Sequence, residues 1–142
     1  MTLATASATS TAPASAFFTR WADMATWPEW NTDTAWVRLD GPFAQGATGT
    51  LKPKGGPKVR FTVERLDEHT FVDVSRMPGG RVTFAHTIEE TEAGTRIDVG
   101  VNVDGPLGWV WRRILGGGFR ASLQSDLDRL VETAERDVRE PS

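Results

Sequence analysis

Apolar positions recur along the chain with two rhythms, helical near both ends and alternating between them. Phe17, Trp21 and Met24 stand at i, i+4 and i+7, which marks one face of a helix. Pro13 sits where a first helical turn tolerates proline, and Pro28 prevents that helix from running on smoothly. From Ala35 the period becomes two. Val37 and Leu39 alternate with Trp36 and Arg38, and Gly41-Pro42 closes the segment. Thr48–Lys52 reads as a short strand ended by Pro53-Lys54-Gly55-Gly56-Pro57. Val59, Phe61 and Val63 alternate with Arg60, Thr62 and Glu64, and Phe71–Arg76 follows. After the Pro78-Gly79-Gly80 turn, Val82, Phe84, His86 and Ile88 share one face; beyond Gly94, Ile97, Val99, Val101 and Val103 share another. Strands this short, joined by loops this short, pair antiparallel.

Register follows from keeping apolar faces together. A four-residue loop at 67–70 pairs Arg65 with Val72, Val63 with Val74 and Phe61 with Arg76. A five-residue loop at 77–81 pairs Arg76 with Val82, Val74 with Phe84 and Val72 with His86. A four-residue loop at 91–94 pairs Ile88 with Ile97, His86 with Val99 and Phe84 with Val101. These choices agree on one inner face, on which Arg76 and His86 stand among aliphatic and aromatic side chains.

Past Gly105-Pro106 the rhythm is helical again. Leu107–Leu115 predicts a short apolar helix with Trp109 and Trp111 on different sides, broken by Gly116-Gly117-Gly118. Phe119, Leu123, Leu127, Leu130 and Ala134 then form the apolar stripe of a long amphipathic helix, with Pro141 beyond its end. Leu3–Ser10, rich in Ala, Ser and Thr, reads by composition as a tail rather than a strand.

The 142 residues suit one domain, 1–142, with a structured core from about Leu3 to about Arg136. Nineteen acids against sixteen bases give a net charge of −3, so a basic face for nucleic acid is not expected. The absence of cysteine excludes disulfides, thiolate nucleophiles and Cys-ligated metals. Nothing approaches the ~18 apolar residues of a membrane span, and the N-terminus lacks a basic region followed by an apolar one. A cytoplasmic protein is the expectation, and a homodimer is compatible with it.

The order of elements, with Ala12-Pro13, Asp23, Trp27-Pro28-Glu29-Trp30-Asn31, Gly41-Pro42-Phe43 with Gly46, Lys52-Pro53-Lys54-Gly55-Gly56, Arg76-Met77-Pro78-Gly79, Phe84-Ala85-His86 and Gly105-Pro106-Leu107, resembles the START-like superfamily. Within it, the chain is similar to the polyketide cyclase/dehydrase-like branch of the SRPBCC group. The resemblance implies an α+β helix-grip fold: a curved antiparallel sheet wrapped around a long C-terminal helix, with short helices after the first strand and a cavity between sheet and helix. It turns Leu3–Ser10 into that first strand. It also implies a protein that binds hydrophobic or amphipathic small molecules, lipid or polyketide-like, some relatives being enzymes.

Candidate chemistry is sparse. His86 on an apolar strand face is the leading polar group, able to exchange protons near neutral pH or to bond a ligand carbonyl. Arg76 on the same inferred face offers planar donors for a carboxylate, phosphate or enolate. Trp30, Trp36, Phe61, Val74, Phe84, Val99, Phe119 and Leu123 complete the expected lining of a ligand pocket, Trp36 sitting opposite Val37 and Leu39 in the alternation. His69 lies in a turn, so no metal site is expected, and no cofactor is implied. Gly116-Gly117-Gly118 lacks the residues of a phosphate loop and reads instead as a hinge or close-packing corner. Three functions are therefore in play: a binding protein for a hydrophobic small molecule, a cyclase or dehydratase using His86 and Arg76, and a non-catalytic protein-interaction module.

Overall fold

The computed structural model describes residues 2–140, so Pro141 lies outside the described residues. Strand β1 (Thr2–Ser10) leads into α1 (Ala14–Ala22) and a 3-10 segment (Met24–Glu29). Six strands follow, β2 (Thr34–Leu39), β3 (Thr48–Pro53), β4 (Val59–Leu66), β5 (Thr70–Met77), β6 (Gly80–Thr91) and β7 (Gly94–Asp104), and then helix α2 (Gly108–Arg139). The sheet is antiparallel with order β1-β7-β6-β5-β4-β3-β2. Helix α2 packs across β1, β7 and β6 and against α1, while the 3-10 segment lies against β2. This is the helix-grip arrangement that the resemblance implied.

The N-terminal helical region forms for the reason its spacing suggests. Phe17, Trp21 and Met24 are buried to 0%, 0% and 2% exposure, with Trp21 central to the larger core cluster. Pro28 falls inside the 3-10 segment, where the chain has already left α-helical geometry. Arg20 fastens this region to the end of α2 by a two-pronged ion pair with Asp137, at 2.6 and 2.8 Å.

Three expectations are corrected. Leu3–Ser10 is the paired strand that the resemblance implied and not the tail that composition alone suggested, with Ala6 opposite Val99 and Ala8 opposite Ile97. Its small side chains suit a strand lying directly under α2. Nor does Gly116-Gly117-Gly118 break the helix, since α2 runs unbroken from Gly108 to Arg139. A Cβ on Gly116 would stand 3.3 Å from Leu3 Cδ1, so glycine allows the close approach of helix to strand. That packing accounts for Gly116 against a helix-propensity cost of about 1 kcal/mol, whereas a Cβ on Gly117 or Gly118 would meet nothing within 4 Å.

The third correction is register. At the hairpin end, Arg65 does pair with Val72, but a bulge between Val63 and Arg65 shifts the rest of β4 by one. Phe61 therefore faces Ser75 and Val63 faces Asp73. Between β5 and β6 the loop is not five residues but the pair Pro78-Gly79, with Met77 opposite Gly80. Gly79 adopts φ +72°, as the third residue of a type II turn requires after proline. The inner face of β5 is therefore Phe71, Asp73, Ser75 and Met77 rather than Val72, Val74 and Arg76. Between β6 and β7 the expected pairs of Ile88 with Ile97, His86 with Val99 and Phe84 with Val101 are all present.

Candidate functional site

Because α2 rests on the β1-β7-β6 half of the sheet, the space facing β3, β4 and β5 is left unfilled. It forms a cavity of about 270 Å³. Trp21, Trp27 and Trp30 wall it from the N-terminal helical region. Phe61, Asp73, Ser75, Phe84, His86 and Val99 approach from the sheet, and Phe119, Leu123, Asp126 and Leu127 from α2.

Of the residues expected to line a pocket, Trp30, Phe61, Phe84, His86, Val99, Phe119 and Leu123 do so. Trp36, Val74 and Arg76 do not. Trp36 is 37% exposed, because Val37, its neighbour in the alternation, takes the inner face of β2. Its ring lies beside the Arg38 guanidinium, 5.9 Å from the ring centre. Val74 is buried, but on the opposite face of β5, next to Thr62 and Thr83. The register shift carries Arg76 outward with it. Arg76 is exposed and pairs with Arg81 at the hairpin tip, in a surface hollow with Asp104.

His86 is held by its surroundings in one state. Its ring stacks on Phe71 at 4.7 Å and 13°, and Trp21 tilts against it at 5.1 Å. Nδ1 donates to the Phe71 carbonyl at 2.9 Å, which makes Nε2 the acceptor nitrogen of a neutral imidazole. Burial lowers the imidazole to about 4, partly opposed by the Phe71 bond. Near neutral pH the ring is therefore a neutral hydrogen-bonding group with Nε2 as its acceptor.

Sequence reasoning missed Asp73. It is 7% exposed, lies between Val63 and Phe84 on the inner face, and reaches the cavity wall. No group among the described residues hydrogen-bonds or ion-pairs with its carboxyl. Burial alone raises it to about 8, so near neutral pH the group is mostly a carboxylic acid. The signal that would have found it is the Pro-Gly turn: a two-residue Pro78-Gly79 hairpin fixes Asp73 opposite Phe84.

The other polar features are few. The Trp27 indole donates to the Trp21 carbonyl at 3.2 Å, whereas the buried indole N–H groups of Trp21 and Trp30 have no acceptor among the described residues. Asp126 is raised by burial first and then by the nearby Asp33, with Arg129 at 3.3 Å opposing the shift. The lining contains three carboxyl groups, Asp33, Asp73 and Asp126, and neither lysine nor arginine. No cluster of three or more metal-ligating side chains occurs among the described residues. Likewise, no helix among them is long and apolar enough to cross a membrane.

Solved structures share this architecture at low sequence identity. A protein from Mesorhizobium loti superposes with a TM-score of 0.74 at 14% identity, covering 94% of this chain and 96% of that one. The di-domain ARO/CYC StfQ, from the steffimycin biosynthetic pathway, gives 0.75 at 14% identity over 96% of this chain, which spans 52% of StfQ. Ara h 8.0201 gives 0.66 at 17% identity, over 94% and 97% of the two chains. No curated protein is detectably similar in sequence. The model of one family does match, over residues 1–135. With that match covering nearly the whole chain, the protein belongs to the polyketide cyclase / dehydrase and lipid transport family.

Proposed function

We propose that the chain binds a hydrophobic or amphipathic small molecule, lipid-like or polyketide-like, in the cavity between sheet and α2. The observation that carries this reading is the cavity itself: about 270 Å³ of space inside a wall of tryptophan, phenylalanine and aliphatic side chains with isolated polar groups. Such a wall suits a ligand of one or a few rings, since the volume falls just below the range of about 300–1,000 Å³ for drug-sized sites. Removing such a ligand from water stabilises the complex by roughly 25 cal/mol per Å² of apolar surface. Native mass spectrometry after mild purification tests the reading. A bound small molecule, or uptake of a neutral aromatic probe in a one-to-one complex, is the expected result. A protein that stays empty under both conditions refutes it.

A second reading, a cyclase or dehydratase, is favoured by the neighbouring Asp73 and His86, an acid and a base facing one apolar space. Arg76 has no part in it, because Arg76 stands outside the cavity. Turnover of a polyketide-like substrate that is lost in both Asp73→Ala and His86→Ala would support it. The third reading, an interaction module, is disfavoured because the interior is not filled.

A further inference from the structure

The charge of the cavity wall is one-sided. Asp33, Asp73 and Asp126 line it, and no lysine or arginine does. A carboxylate or phosphate entering this space would lose its hydration and meet no counter-charge. An uncompensated buried anion is among the most costly arrangements in a protein. The cavity therefore discriminates by charge before it discriminates by shape.

Its inner polar groups are complementary to each other. Asp73 faces Phe84 across β5 and β6, and His86 stands two residues beyond Phe84 on the same face. Diagonal neighbours of this kind stand about 7–8 Å apart, somewhat less between Cβ atoms, within the span of one small ring system. The Asp73 carboxyl has no partner among the described residues, while His86 spends Nδ1–H on the Phe71 carbonyl and keeps Nε2 as an acceptor. One group is placed to donate a proton in a hydrogen bond and the other to accept one.

We propose that the cavity is selective for an uncharged ligand bearing carbonyl or hydroxyl oxygens, with the Asp73 carboxyl donating to a carbonyl, His86 Nε2 accepting from a hydroxyl, and carboxylates and phosphates refused. This rests on the reading that the cavity holds a small molecule, and adds the chemical class and the anchoring residues. The protonation states agree with the geometry: burial holds Asp73 as an acid up to about 8 and His86 as a neutral base down to about 4. Between those limits the donor and the acceptor coexist. The other titratable groups facing this space are Asp33, from the segment before β2, and Asp126, from α2. Both add negative charge when ionised and reinforce the refusal of anions. The walls from β3, β4 and the N-terminal helical region contribute Leu51, Phe61 and the tryptophans, which carry no charge.

The test compares naphthalene with acetylnaphthalene, naphthoate and naphthylmethylamine, substituted at the same ring carbon, by calorimetry with the full chain. At pH 6.5 acetylnaphthalene is expected to bind at least about tenfold more tightly than naphthoate, a difference of about 1.4 kcal/mol. At pH 9.5, where Asp73 is ionised, its affinity is expected to fall by about threefold or more. Asp73→Asn retains a donor that does not titrate, so its affinity for acetylnaphthalene is expected to hold across the same pH range. Naphthoate binding as tightly as the ketone overturns the proposal. So does tightest binding by the ammonium form of the amine with release of a proton, which makes Asp73 a counter-ion instead. If naphthalene itself does not bind, the cavity reading falls and this proposal with it. If naphthalene binds without the preference for the ketone over naphthoate, the proposal falls alone.

Discussion

Asp73 and His86 face one cavity from adjacent antiparallel strands, and neither bonds to the other. Their environments push their ionisation in opposite directions by the same cause. Burial disfavours the charged form of each, raising the acid and lowering the base. The pair is thus uncharged across the middle of the pH range, in a largely apolar space whose other carboxyl groups are Asp33 and Asp126.

Asp73 should make the fold weaker as pH rises. Its folded-state value, about 8, lies above the ~3.9 of an unfolded aspartate. The native state therefore holds the proton more firmly, and stability present below pH 4 is lost as pH climbs through 8. Asp73→Asn removes this titration. The stability of the variant relative to wild type is expected to improve by about 1 kcal/mol or more between pH 5 and pH 9, measured by urea denaturation. A pH-independent difference contradicts this.

Arg76→Ala should change little. The side chain is exposed at the hairpin tip and stands outside the cavity, and surface substitutions usually fall within about 0.5 kcal/mol. Thermal unfolding and probe affinity are both expected to match wild type. A fall in probe affinity of more than about threefold contradicts the register described for β5 and β6.

The contrast between Arg76 and His86 shows what was legible in the sequence. On β6 and β7, apolar residues mark the inner face of both strands, so matching like with like recovers the pairs His86–Val99 and Phe84–Val101. On β5, Val72 and Val74 form the more apolar face, yet Asp73 and Ser75 turn inward. Rules of hydrophobic pattern fail where a protein places polar groups inside for a purpose. Local turn chemistry at Pro78-Gly79 carried the correct register against that pattern. Gly116-Gly117-Gly118 failed for a different reason. Its propensity opposes helix, and although the run reads as a close-packing corner, no local pattern shows that Gly116 packs on Leu3 within an unbroken helix.

Asp137→Asn probes the clamp between α1 and α2. Arg20 bonds both carboxylate oxygens and holds Asp137 below the usual carboxylate range. A depressed carboxylate stabilises the fold above its unfolded value, and the contribution disappears as pH falls through the folded one. The pair is partly open to solvent, which limits its worth to about 1 kcal/mol. Urea denaturation should show that loss at pH 7, a smaller one in high salt, and a difference from wild type that shrinks as pH falls below the usual carboxylate range. Equal stability of the two proteins at pH 7 contradicts the assignment.

The chain has six tryptophans, and they divide cleanly by position. Trp21, Trp27 and Trp30 line the cavity, whereas Trp36 and Trp109 are exposed on the outside and Trp111 bonds to the Pro78 carbonyl at the β5–β6 turn. Two-dimensional nitrogen–proton NMR resolves their six indole N–H signals, and single Trp→Phe variants assign them. Titration with acetylnaphthalene is the most direct test that the cavity is a binding site. The signals of Trp21, Trp27 and Trp30 are expected to shift together and saturate, while those of Trp36 and Trp109 stay in place. Shifts confined to Trp36 and Trp109, or no saturable shift at the three inner indoles, would contradict a ligand site inside the fold.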